Sequence, residues 1–116
     1  MHANVLNNTV QNPLGLVAVG MDTNIGTTTG ATVVGCFSIN SNTLSGTFWD
    51  PGVGTQLGIH TRVRFNSEHR LPGMSGTGAA NAVTFLGTNN PSAAGKIFSE
   101  GSGVPGYQSG AACVTP

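Results

Sequence analysis

The chain has 116 residues, a formal net charge of zero and only 7% charged residues, against about a quarter in an ordinary soluble domain. That length allows one domain with one core. So sparse and balanced a charge excludes a binder of phosphate backbones. It suits an extracellular protein, or a subunit covered by copies of itself, better than a free cytosolic monomer.

In chain order, residues 1–13 are Asn-rich and read as a loop-like end closed by the turn pair Asn12-Pro13. MHANVLNNTV lacks the basic-then-apolar pattern of a signal peptide. LGLVAV, residues 14–19, is a short apolar run that reads as a buried strand. A Gly/Thr/Asn loop follows, and ATVVGCFSI, residues 31–39, is a second strand. Thr47-Phe48-Trp49 is a short aromatic strand ended by the turn Asp50-Pro51-Gly52. The centre of the chain is LGIHTRVRFNSEHRLPG, residues 57–73, which holds three of the four Lys/Arg residues. Its first half alternates: Ile59, Thr61, Val63 and Phe65 on one face, and Gly58, His60, Arg62, Arg64 and Asn66 on the other. That period of two predicts a half-buried strand with its basic side chains facing water or a partner. AVTFL, residues 82–86, and Lys96-Ile97-Phe98 read as two further strands, and residues 101–116 form a second loop-like end.

These elements predict a single mainly β domain over residues 1–116, with four to five short strands in an antiparallel sheet and long Gly/Thr/Asn-rich loops. No helix of ten residues is expected. No stretch approaches ~18 consecutive apolar residues, so no transmembrane helix is expected either. Cys36 and Cys113 are too far apart for a metal or redox CxxC pair, and an even count in a chain of exported character favours a disulfide.

The motifs that carry chemistry are weak. Gly101, Gly103 and Gly106 match GxGxxG, but Pro105 breaks any following helix and no βαβ unit fits in the remaining residues. Ser75 lacks the strand and helix of a nucleophile elbow, and a triad of Asp22, His60 and Ser75 is an arithmetic possibility only. Asp50 reads as a turn residue, and Glu68 as a charge partner for Arg64, Arg70 or His69. His60 and His69 lack the spacing of a helical metal pair. Asn7-Asn8-Thr9 is a glycosylation sequon only in a eukaryotic secretory context. We expect no catalysis, cofactor or metal. The strip Arg62, Arg64, Arg70 is too small for nucleic acid and suits ion pairing between subunits.

Val63-Arg64-Phe65-Asn66, followed by Arg70 and Leu71, resembles a strand and turn in the globular heads of type IV pilins and secretion-system pseudopilins. The low charge, Gly/Thr/Asn/Ser richness and paired cysteines are similar in character over residues 30–116. This chain departs from the family in lacking the long N-terminal pilin helix. It therefore looks like a head without its helix, or, more closely, the C-terminal globular chain of a split type IV pilin. The resemblance implies a structural subunit of an extracellular pilus-like or pseudopilus filament at the cell surface. Its partners would be a separate short helical pilin chain and neighbouring copies of itself.

An antiparallel sheet with Val33, Phe37, Ile59, Val63, Phe65, Val83 and Phe85 on one face would need such a helix to cover it. Arg62 and Arg64, with Val63, Phe65, Val83 and Phe85, are accordingly the expected interface. The alternatives are a secreted carbohydrate- or surface-binding β domain, stacking sugars on Phe48, Trp49 and Tyr107, and a phage or capsid-decorating protein.

Overall fold

The computed structural model describes residues 1–15, 17–30, 32–102, 105–110 and 113. Ten strands appear among them: β1 (His2–Leu6), β2 (Thr9–Asn12), β3 (Val19–Ile25), β4 (Val34–Asn40), β5 (Thr43–Gly46), β6 (Trp49–Asp50), β7 (Thr55–Arg64), β8 (Glu68–Leu71), β9 (Ile97–Ser102) and β10 (Gly106–Ser109). One α-helix, α1 (Ala79–Asn89), and a 3₁₀ turn, Pro91–Ala93, lie between β8 and β9.

The chain visits three sheets in turn and returns to the first. One sheet has the order β1-β4-β8-β10, a second pairs β2 with β5, and the third sets β3 and β9 on either side of β7. Every pairing is parallel, except where the two residues of β6 fold back on the start of β7. The architecture is a short parallel β-solenoid, and the expectation of an antiparallel sheet is overturned. Short strands separated by turn residues fit both arrangements. In a hairpin the turn reverses the chain, whereas here it carries the chain round a corner to the next sheet.

The corners show how. Asn7 and Ser41 hold left-handed backbone at φ 57° and 58°, and each precedes an asparagine, Asn8 and Asn42. The two corners lie 34 positions apart, matching the offset of His2 to Cys36 and Thr9 to Thr43. The amide oxygen of Asn42 accepts from the backbone N–H and side-chain amide of Asn8, both at 3.0 Å. Asn42 in turn donates its backbone N–H and its amide to Asn90 Oδ1 at 2.9 Å, and the amide also reaches Val5 O. Asn90 closes the ladder on Ile39 O and Leu86 O. Asn42 and Asn90 are 2% and 0% exposed, so these bonds satisfy polar groups that water does not reach.

Residues 1–13, expected as a loop, form β1 and β2. The C-terminal region holds β9 and β10; residues 103–104, 111–112 and 114–116 lie outside the described residues. The segment Ala82–Leu86, expected as a strand, is the middle of α1. Ala82 and Leu86, one helical turn apart, are both fully buried, and α1 packs chiefly on β9. Val83 and Phe85 are therefore helix residues, not members of a sheet face. Val63 lies inside the solenoid at 1% exposure. Phe65 has left the strand for a turn at φ 56°. The apolar face is thus covered from within, by the other walls of the solenoid and by α1, and the expected need for a partner helix disappears.

The core joins Phe37 and Ile39 of the first sheet, Leu44 of the second and Ile59 and Val63 of the third. Gly35 is required there. A Cβ on it would come within 2.4 Å of the Phe37 ring. Cys36 and Cys113 form a disulfide, Cα atoms 5.9 Å apart, across 77 positions, a closure worth about 4 kcal/mol in the chain-entropy account.

The asparagine ladder generates a prediction. Asn42→Ala removes four side-chain hydrogen bonds and strands buried partners, so it should cost about 2–4 kcal/mol. The exposed Gln11→Ala serves as the control and should cost almost nothing. Urea unfolding midpoints check both, and equal midpoints would show that the ladder contributes nothing.

Candidate functional site

Strand β7 alternates as its sequence predicts. Ile59, Thr61 and Val63 face the interior, and His60, Arg62 and Arg64 face out. Its parallel neighbours place their own outward residues alongside. Asp22 and Phe98 stand in register with His60, and Asn24 and Glu100 in register with Arg62. The outer face of this sheet thereby gathers Asp22, His60, Arg62, Arg64 and Glu100 from three separate stretches of a chain that has few charges at all.

His60 is the centre of the cluster. Its Nδ1 lies 3.0 Å from Asp22 Oδ1 and its Nε2 2.9 Å from Glu100 Oε1. The ring stacks on Phe98 with centroids 5.8 Å apart. Arg62 Nε approaches the same Glu100 oxygen at 3.3 Å. Arg64 differs. Among the described residues it makes one long contact, Nη2 to Asn24 Oδ1 at 3.5 Å, and its buried Nε has no hydrogen-bond partner there. A recess of about 150 Å³ lies between the two arginines, bounded by Val63, Glu100 and Gly101.

Other expected site residues are dispersed. Arg70 pairs with Glu68 through Nε and Nη2, both at 2.6 Å from Oε2, so the three arginines do not form one strip. Asp50 caps its turn by accepting from the N–H groups of Gly52 and Val53. Asp22 does meet His60, but the far ring nitrogen faces Glu100 and no serine. Phe48 and Tyr107 are buried, leaving Trp49, 50% exposed, alone at the surface; the three do not form a stacking platform. Among the described residues no group of three or more His, Cys, Asp or Glu could hold a metal ion. Gly103 of the GxGxxG match lies outside the described residues.

The interior holds a polar row of its own. Thr61 Oγ1 donates to Ser99 Oγ at 2.8 Å and lies 2.9 Å from the Tyr107 hydroxyl, whose single proton has two carbonyl acceptors in reach, Thr61 O at 2.7 Å and Glu100 O at 3.0 Å. Burial pushes the Tyr107 hydroxyl up to about 12. His69 sits between the rings of Phe37 and Tyr107, at 4.4 and 5.3 Å, with Nε2 2.8 Å from Thr23 Oγ1. His60 and His69 thus occupy opposite sides of the sheets, one outward and one inward. Sequence reasoning missed the joining of His60 to both acids, because Asp22 and Glu100 lie 38 and 40 positions away. An offset near 34 to 38 was the only available signal.

No family model, curated protein or solved structure matches this chain.

Burial alone lowers the His69 pKa from 6.5 to about 4. The unfolded chain therefore binds this proton at a pH where the folded chain refuses it. Stability is complete above pH 6.5 and declines as pH falls toward 4, by about 3 kcal/mol in total. His69→Phe should flatten that part of the pH profile. An unchanged slope in the variant would assign the decline to other groups.

Proposed function

We propose that this chain is a structural subunit of an extracellular, surface-exposed assembly, associating with copies of itself through the first rung of its solenoid. One observation carries the reading. β1, β2 and β3 each pair on one side only among the described residues, so all three sheets present a free strand edge on the same rung. Unpaired edges are the usual template for pairing with another chain, and solenoid ends need capping. The exposed side chains of β1, His2, Asn4 and Leu6, include no lysine or proline that would block such pairing.

The disulfide is compatible with an oxidising, extracellular location, and the sparse charge supports a surface covered by neighbours. Among the described residues no helix is long and apolar enough to cross a membrane. The filament reading implied by the pilin resemblance is kept in this broader form. A separate helical chain is not part of it, since Val63 faces the interior and Val83 and Phe85 belong to α1. We propose no catalytic role.

Sedimentation over a rising concentration series tests the reading. The chain should self-associate, and Asn4→Lys with Leu6→Lys should weaken that association by at least about tenfold, or 1.4 kcal/mol. Both side chains are exposed, so the melting temperature should hold. A chain that stays monomeric throughout, with amides of β1 to β3 protected from exchange, would overturn the proposal.

A further inference from the structure

The recess beside Arg64 is independent of the assembly edge and has a chemistry of its own. The outer-face cluster contains two carboxylates, Asp22 and Glu100, and both are engaged by His60, with Arg62 also on Glu100. Arg64 has no carboxylate within ion-pair distance among the described residues, and its Nε is shielded from water without a partner. A guanidinium presents its N–H groups in a planar fork that matches a carboxylate, and the Nη end of Arg64, held by one long contact in an exposed position, is the part open to a ligand in the recess. The recess of about 150 Å³ has room for a carboxylate group and opens to solvent.

We propose that Arg64, with Arg62 at the far wall, binds the carboxylate of an acidic sugar, such as a uronic acid. Two features select this ligand. Glu100 lines the same recess, so a singly charged anion balances Arg64 whereas a phosphate dianion meets repulsion. The surrounding outer face offers Asn24, Asp22 and His60, with Phe98 its one aromatic; it suits hydroxyl groups and lacks the apolar centre of a protein interface. A free sugar acid and a glycan chain would supply the same group.

The test is titration of the unaltered protein with galacturonate, a galacturonate trimer, galactose, acetate and inorganic phosphate, following the Arg64 Nε–Hε resonance by NMR. Galacturonate should shift that resonance and galactose should not. A tighter response to the trimer identifies a glycan chain as the source, and an equal response the free sugar acid; both support the site. Arg64→Gln should lose at least about tenfold in affinity, the scale of one charge-assisted bond. Arg64→Lys should fall between, because it keeps the charge but not the fork. Should Arg64→Gln fail to fold, Arg64→Lys and the resonance titration still decide. No shift with galacturonate, an equal response to acetate, phosphate binding as tight as galacturonate, or affinity indifferent to Arg64 would each overturn the proposal.

Discussion

Everything in this molecule depends on like stacking on like between successive rungs. A single rung cannot bury the inward side chains of its own strands, and it leaves every strand edge unpaired. Adding the next rung in register satisfies both needs at once. Met21 comes to lie beside Ile59 and Ile59 beside Ile97, while the backbone ladder runs between them. The asparagine corners enforce that register. A bend at Asn7 or Ser41 would leave buried amides without partners, and Asn8, Asn42 and Asn90 supply them from one rung to the next. Weakening one corner therefore loosens the register of two sheets.

The same stacking explains how a chain with so few charges concentrates them. Parallel, in-register strands bring residues 34 to 40 positions apart onto one face, so a handful of isolated ionic residues become neighbours. On the outer face of the third sheet this yields a cluster in which His60 holds two carboxylates and Arg64 is left over. The His60 side chain is only 12% exposed, which keeps the centre of the cluster partly out of water, where screening is weaker. Inside the wall, the Thr61, Ser99 and Tyr107 hydroxyls satisfy one another, and His69 stays neutral between two rings. The third sheet thus carries a charged outer face and, through Thr61 and Ser99, a neutral polar inner row that meets Tyr107 of the first sheet.

The helix is the irregular member of the solenoid. Ala79, Ala82, Val83 and Leu86 fall at the helical spacing i, i+3, i+4, i+7, yet the β-branched and aromatic run AVTFL argues for a strand. Packing decided between them, because Ala82 and Leu86 find full burial on one helix face while Thr84 and Thr88 return their hydroxyls to carbonyls four residues earlier. A strand there would have needed a parallel neighbour, and the second sheet continues instead with the 3₁₀ turn against β5, where Ser92 Oγ accepts from Leu44 N–H.

By itself the sequence determined the mainly β character, the disulfide and the two faces of the central strand, but not the parallel arrangement that replaces the expected antiparallel sheet. Alternation from Ile59 to Arg64 states which side chains are buried, because successive residues in a strand point to opposite sides. Asp50-Pro51-Gly52 states a turn because its conformational limits are local. The tertiary structure alone decided that β7 lies between β3 and β9 in parallel, that Val63 faces an interior needing no outside helix, and that His60 meets Asp22 and Glu100. Periodicity specifies that a face is buried and says nothing of what buries it. The partner of each strand here is a rung away, and a repeat of 34 or 38 positions with little shared residue identity leaves no local trace.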